Sequence, residues 1–238
     1  MPEASQYQVS NTTFNSTAII VAGGSGTRMQ SAIPKQFLLL NGLPVIMHTI
    51  NAFLNSRYQP HILLVLPEAY HAYWQELCQT HNFHPPHTLI GGGATRFHSV
   101  KNALDTLSQV NGLIAIHDAV RPMITPEIID GCFIQAAQKG NAIAAVKSKD
   151  SVRRLQNNTS ESLMRDEIYL VQTPQIFQLQ QLANAYTLPY IDAFTDDASV
   201  VEKAGYPIHL AEGSYRNLKI TYAEDLLIAE TLLQKGLS

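Results

Sequence analysis

The stretch Ala18-Ile19-Ile20-Val21-Ala22-Gly23-Gly24-Ser25-Gly26-Thr27-Arg28-Met29 constrains this chain more than any other. Its apolar start predicts a short buried strand, and that strand runs straight into glycine. Gly23, Gly24 and Gly26 sit within four positions, so the backbone there can take positive φ and approach a ligand with no Cβ in the way. Consecutive N–H groups of such a turn can converge on an anion. Arg28, and Lys35 within Pro34-Lys35-Gln36-Phe37, add permanent positive charge, one as a planar fork and one as a flexible point charge. Together they predict a cradle for nucleoside-triphosphate phosphates. A P-loop is excluded, because Gly26 is followed by Thr27 and Arg28 instead of Lys and Ser/Thr. The dinucleotide fingerprint fails at its third glycine, which is Met29 here.

The remaining chain has the rhythm of an α/β protein. Residues 61–66, bounded by Pro60 and Pro67, form a continuous apolar run, the mark of a strand buried on both faces of a parallel sheet. Residues 113–117 and 142–146 read the same way, and helical patterns over 45–54, 68–80 and 126–139 alternate with them. The fold predicted is a single doubly wound, Rossmann-like, mainly parallel sheet with helices on both faces. Residues 1–16, rich in Ser, Thr, Asn and Gln, read as a flexible tail ahead of one domain over 17–238. Residues 147–170 read as an extended arm. With 45% hydrophobic residues among 238, the chain can bury a sizeable core. A net charge of −3 gives no global basic field, so nucleic acid is not an expected partner and phosphate-binding charge must be local. No apolar run approaches the ~20 residues of a membrane span, and a cytoplasmic protein is expected. Cys78 and Cys132 read as reduced core thiols. His81, His84 and His87 are interrupted by Pro85 and Pro86, so they read as structural or surface residues and not as metal ligands.

Two further segments carry chemistry. Gly91-Gly92-Gly93-Ala94-Thr95-Arg96 opens a helix, where bare backbone and the helix dipole favour an anion or a base edge. Asp118 and Arg121 lie in the loop after the strand 113–117, and ligands of open parallel sheets bind outside the carboxyl ends of strands.

The stretch from Gly23 to Met29 with Pro34-Lys35-Gln36-Phe37 resembles the G-x-G-x-R-M…P-K signature of the sugar-nucleotidyltransferase superfamily, in the form of the polyol-phosphate cytidylyltransferases. The resemblance continues through the glycine cluster at 91–93, His117-Asp118-Ala119-Val120-Arg121-Pro122, Thr173-Pro174-Gln175, Thr195-Asp196-Asp197-Ala198 and Asn217-Leu218-Lys219-Ile220-Thr221, and so spans nearly the whole chain. It implies transfer of CMP from CTP to 2-C-methyl-D-erythritol 4-phosphate with release of pyrophosphate; ribitol 5-phosphate is the alternative acceptor. By this match Arg28 and Lys35 take the transition-state charge, with Mg²⁺ bridging triphosphate oxygens. Ala22, Gly23, Gly24 and Gly26 surround the nucleotide, and Gly93, Ala94 and Ser99 contact the cytidine. Arg96 orders its loop or reaches a phosphate. Asp118 meets the ribose and lies near the metal. Arg121, Ser151 (where the family pattern has threonine) and Thr173 are implied on the acceptor side, and Arg165 and Lys219 hold the acceptor phosphate. The tandem Asp196 and Asp197 are implied to organise the site. The arm is implied to pair with its copy in a homodimer, which would let Arg165 reach the partner's site. The acceptor phosphate is already ionised at neutral pH, so this chemistry needs positioned charge and no general base. Two other classes fit the sequence less well. A non-catalytic nucleotide-binding protein would not need Arg28, Lys35, Asp118, Arg165 and Lys219 together, and Met29 argues against a nicotinamide oxidoreductase.

Overall fold

The computed structural model describes residues 15–23, 33–108 and 111–235. Strand β1 (Ser16–Val21) is the axis of the main sheet. A ribbon of β2 (Leu39–Leu40) and β3 (Leu43–Pro44) follows, turned by Asn41 and Gly42 at φ 53° and 83°, as a two-residue Asn-Gly hairpin requires. It feeds α1 (Val45–Leu54). Next come β4 (His61–Leu66), α2 (His71–Thr80), β5 (His87–Gly91) and α3 (Arg96–Leu104). They lead to β6 (Leu113–Asp118), α4 (Pro126–Lys139) and β7 (Asn141–Lys147). A hairpin of β8 (Arg153–Gln156) and β9 (Thr159–Ser162) precedes β10 (Tyr169–Gln178). The chain finishes with α5 (Leu179–Ala185), α6 (Asp197–Lys203), β11 (Leu210–Glu212) and α7 (Ala223–Gln234).

Seven strands lie in the order β11-β7-β10-β6-β1-β4-β5, parallel throughout except where β10 runs against β6 and β7. Alternate residues of a strand face opposite sides, and both sides are covered here. Ile20, Ile62 and Leu64 pack on one face with Phe53 of α1, Trp74 of α2 and Phe133 of α4. Ile19, Leu63 and Val65 pack on the other with Phe97 of α3, Leu182 of α5 and Val201 of α6. The mainly parallel, doubly wound sheet expected from the apolar runs is therefore the fold. Each fully buried large side chain here contributes about 1.5–3 kcal/mol of burial energy, so the sheet is a stiff platform for whatever sits at its edge.

Several local expectations are refined. Ser16, expected at the end of the tail, is the first residue of β1, and its hydroxyl donates to the Tyr58 carbonyl at 3.2 Å. Residues 1–14 lie outside the described residues. Lys219 was expected at a strand end, but β11 stops at Glu212. Gly213 donates one last ladder bond to Ala145, and the Ser214 carbonyl then turns to accept from the Gln172 amide at 2.8 Å, so 213–221 runs as irregular chain. His87 is a structural histidine: its Nε2 accepts the Trp74 indole N–H at 2.9 Å, and its Nδ1 bonds the Pro85 carbonyl at 2.8 Å. Both cysteines are free and buried, and burial pushes their thiols up to about 11 at Cys78 and about 12 at Cys132. All ten residues of the β8–β9 hairpin, 153–162, are exposed, and Arg153 and Arg154 bond Ser160 and Glu161 across it.

Candidate active site

The strand order reverses at β1: the chain moves outward through β4 and β5, then returns to β6 on the other side. Open α/β sheets take their ligands at such a switch point, outside the carboxyl ends of the strands. The register puts Val21 at the end of β1 opposite Asp118 at the end of β6. A cavity of about 370 Å³ opens there, lined by Ala22 and Gly23 after β1, Asp118 at the end of β6, and Gly93, Ala94, Arg96 and Ser99 around the start of α3. Lys35 and Lys219 enter it from two other segments. Nine of the residues singled out in the sequence thus share one cavity. Gly24, Gly26 and Arg28 lie outside the described residues.

Local chemistry explains the shape. A Cβ on Gly93 would fall 2.5 Å from the His98 Cβ and 2.7 Å from its backbone carbon, so only glycine lets the loop close on the first turn of α3. The Gly93 N–H donates to the Ser99 hydroxyl at 3.0 Å, and that hydroxyl donates to the Thr95 carbonyl at 2.9 Å. Thr95 caps the helix by accepting from the His98 N–H. At Gly23 a Cβ would meet only the Ser99 Oγ at an ordinary 3.5 Å, so of these two cavity glycines Gly93 is the crowded one. Gly93→Ala is expected to cost about 1–3 kcal/mol of stability, in the manner of an overpacked site, and to weaken nucleotide binding. Thermal melting with and without CTP checks it, and an unchanged melting curve would contradict the clash.

Asp118 is the electrostatic centre. Its Oδ2 lies 3.0 Å from Lys219 Nζ and 3.3 Å from Arg121 Nε, and its Oδ1 lies 3.7 Å from Arg96 Nε. Burial works against its charge, but Arg96, Lys219 and Arg121 outweigh it and hold the carboxyl well below the usual carboxylate range. Arg121 is 9% exposed; its second contact is a donated bond to the Asn217 carbonyl at 2.8 Å. Thr173 is buried too, its hydroxyl accepting from the Asp118 N–H at 3.1 Å. Both residues therefore sit under Asp118 and do not line the cavity. His117 points to the opposite face of β6, its ring 5.1 Å from that of Phe53; burial pulls its pKa down to about 3, so it stays neutral. Lys35 Nζ donates to the Ile220 carbonyl at 2.9 Å, which ties the turn after Pro34 to the segment bearing Lys219. Four cations (Lys35, Arg96, Arg121 and Lys219) surround two carboxylates (Asp118 and Asp197), a net excess suited to a polyphosphate.

Ser151 and Arg165 are not brought to this cavity. Both are exposed at the arm, Arg165 beside Asp166 at 3.9 Å in the 3-10 turn Arg165–Glu167. Sequence reasoning passed over Gln36 and Asn217 as functional residues. The Gln36 amide donates to the Ala22 carbonyl at 2.9 Å and so fixes the end of β1, and Asn217 donates to the Thr173 carbonyl at 2.8 Å. Gln36 directly follows the motif Lys35 and Asn217 stands two residues before Lys219, the one local signal that could have flagged them.

A doubly wound sheet with a glycine-lined, net-cationic cavity at its switch point defines a nucleotide-binding α/β protein. A family model described as IspD, 2-C-methyl-D-erythritol 4-phosphate cytidylyltransferase, matches residues 16–235, and the chain belongs to that family. A relative of that name from Phocaeicola vulgatus is 48% identical over 220 residues, covering 92% of this chain and 100% of the relative. Another, from Azobacteroides pseudotrichonymphae, is 49% identical over 218 residues, covering 90% and 97%. Among solved structures, that of 2-C-methyl-D-erythritol 4-phosphate cytidylyltransferase from Francisella tularensis matches at 30% identity with a TM-score of 0.76, over 91% of this chain and 99% of that one. The 4-diphosphocytidyl-2C-methyl-D-erythritol synthase from Anaerococcus prevotii gives a TM-score of 0.81 at 25% identity, over 94% and 100%.

Proposed function

We infer that this chain transfers CMP from CTP to 2-C-methyl-D-erythritol 4-phosphate in isoprenoid biosynthesis, releasing pyrophosphate. The observation that carries the reading is the convergence of Lys35, Arg96 and Lys219 around one ionised carboxylate, Asp118, at the switch point. An oxygen of the acceptor phosphate attacks the α-phosphorus of CTP. The new P–O bond forms as the bond to the β-phosphate's bridging oxygen breaks, and pyrophosphate leaves. The attacking oxygen is already ionised, so the protein supplies position and positive charge. Lys35 and Arg28 are assigned the charge building on the triphosphate, and Lys219 the incoming phosphate. Gly93, Ala94 and Ser99 face the nucleoside, and Thr173 and Arg121 brace Asp118 from below.

The donor set fits a Mg²⁺ bound chiefly through substrate phosphates. Among the described residues no three His, Cys, Asp or Glu side chains form a cage, and this ion commonly uses one or two carboxylates plus phosphates. Asp118, kept ionised and with Oδ1 meeting, among the described residues, the 3.7 Å contact to Arg96, would hold it. The ion supplies charge neutralisation for the triphosphate.

Two further parts belong to this reading. A homodimer through the arm is supported by its exposed hairpin and by Leu155 and Met164, 73% and 69% exposed there. In that dimer Arg165 and Ser151 serve the acceptor side. Two free buried thiols and the absence of any helix long and apolar enough to cross a membrane, among the described residues, support a cytoplasmic enzyme.

The test is pyrophosphate release by the purified protein with CTP and Mg²⁺, run in parallel with methylerythritol phosphate and ribitol phosphate. Strong release with the first alone is expected. Release with ribitol phosphate alone would overturn the acceptor, and release with neither would overturn the transferase. Lys219→Ala should raise the acceptor KM about 10- to 100-fold, the weight of one hydrogen bond to a charged group, and leave the CTP KM nearly unchanged. An unaltered acceptor KM would remove Lys219 from this role.

A further inference from the structure

Arg96 lines the nucleotide side of the cavity, but its fork is gripped from behind. Its two terminal nitrogens donate to Asp197 Oδ1 and Oδ2 at 2.8 and 2.6 Å. Asp197, the first residue of α6, is fully buried. Its Oδ1 also accepts the Tyr186 hydroxyl at 2.7 Å, from the residue just after α5, and the Tyr186 ring stacks on Phe97 with centroids 4.6 Å apart. The start of α6 is itself fixed to the sheet. Gln175 of β10 accepts the Ala198 N–H at 2.9 Å, and its amide donates to Asp196 at 2.8 Å. A bidentate Arg–carboxylate pair sets orientation as well as energy, and here the grip comes from two helical segments about a hundred residues away in sequence.

We propose that Asp197, backed by Tyr186, is a positioning residue that holds Arg96 in one orientation toward Asp118 and the bound nucleotide. Arg96 has a long side chain whose rotamer freedom must be lost when a ligand is bound; the grip removes that freedom in the empty protein, so CTP meets a donor already in place. The effect falls on the nucleotide and not on the acceptor, because Arg96 enters beside Gly93 and Ala94 whereas Lys219 enters from the other side of Asp118.

This inference rests on the nucleotide-binding part of the proposed function. It is therefore tested by CTP binding in the calorimeter without acceptor. Wild-type protein that fails to bind CTP would sink the function; wild-type binding with unaffected variants would sink only the inference. Three variants are compared. Asp197→Asn keeps the shape and removes the charge, and is expected to weaken CTP binding tenfold or more. Tyr186→Phe keeps the ring stack and removes one hydrogen bond, and is expected to weaken binding two- to fivefold. The double variant should bind no more weakly than Asp197→Asn alone, since Tyr186 acts through Asp197. Val201→Ala, in the buried face of α6 but away from Arg96, should lower the melting temperature and leave the CTP Kd alone. Unchanged CTP affinity in Tyr186→Phe, additive losses in the double variant, or an equal loss in Val201→Ala would each overturn the proposal. Should Asp197→Asn not fold, the contrast between Tyr186→Phe and Val201→Ala decides.

Discussion

Asp118→Asn is expected to melt roughly 10 °C below the wild type and to lose most of its turnover. The substitution keeps the shape and removes the one charge that three cations share. Lys219, with a side chain 44% exposed, can turn to water, and Arg96 keeps its pair with Asp197. Arg121 has no such escape: it is 9% exposed, and its remaining contact is the neutral Asn217 carbonyl. Breaking a buried pair by deleting one partner costs about 3–5 kcal/mol, and for a chain of this size each kcal/mol moves the melting point about 2–4 °C. The pH dependence gives an independent check. The folded carboxyl ionises well below its usual range, so the stability it contributes is present above the unfolded value of about 4 and is lost as pH falls below it. The gap in melting temperature between wild type and variant should therefore be full at pH 7 and close steadily below about pH 4. A gap that stays constant down to pH 3, or none at pH 7, would show that Asp118 does not hold this cluster together.

The parts of this site that could be read in advance were those written in consecutive residues. The glycine cluster at 91–93 has a local meaning as bare backbone before a helix, and Asp118 as a carboxylate ending an apolar run, whereas Ala94, Arg96 and Ser99 were picked out by the motif resemblance. The sheet was legible for the same reason: strands buried on both faces need uninterrupted apolar side chains, and 61–66 and 113–117 have them. What stayed hidden depends on contacts between distant segments. The antiparallel seat of β10 between β6 and β7 is a fact of topology, and the apolar pattern of a strand carries no direction. Asp197 read equally well as a helix cap; its neighbour Asp196 has that role, and only the seating of the α6 N-terminus on Gln175 of β10 turns Asp197 to Arg96. Motif matching could place Arg121 and Thr173 near the site but not say on which side of Asp118 they stand. Sequence spacing does not encode depth. Arg28 lies outside the described residues, so its assignment still rests on the motif.

Lys35→Ala should lower kcat by about 10²–10³-fold, the loss seen when one preorganised donor to a developing charge is removed, while the protein remains folded. Lys35 lies in the short 3-10 turn Lys35–Phe37, whose place is fixed by its neighbours: the Phe37 ring packs 5.2 Å from that of Tyr73, and the Gln36 amide is bonded to Ala22. Removing the lysine therefore should not move the turn. The losses include the bond to the Ile220 carbonyl, worth about 1 kcal/mol, and a positive charge at the cavity wall. The melting temperature should fall by no more than about 2–4 °C, far less than for Asp118→Asn, and the two variants separate charge that catalyses from charge that holds the fold. Lys35→Met, which keeps the apolar stem, should be as slow as Lys35→Ala. Lys35→Arg should recover only part of the rate, because a planar fork cannot occupy the place of a compact ammonium. Near-normal kcat in Lys35→Ala, or full activity in Lys35→Met, would mean that the charge on the triphosphate is neutralised elsewhere and that Lys35 serves only to tie its turn to Ile220.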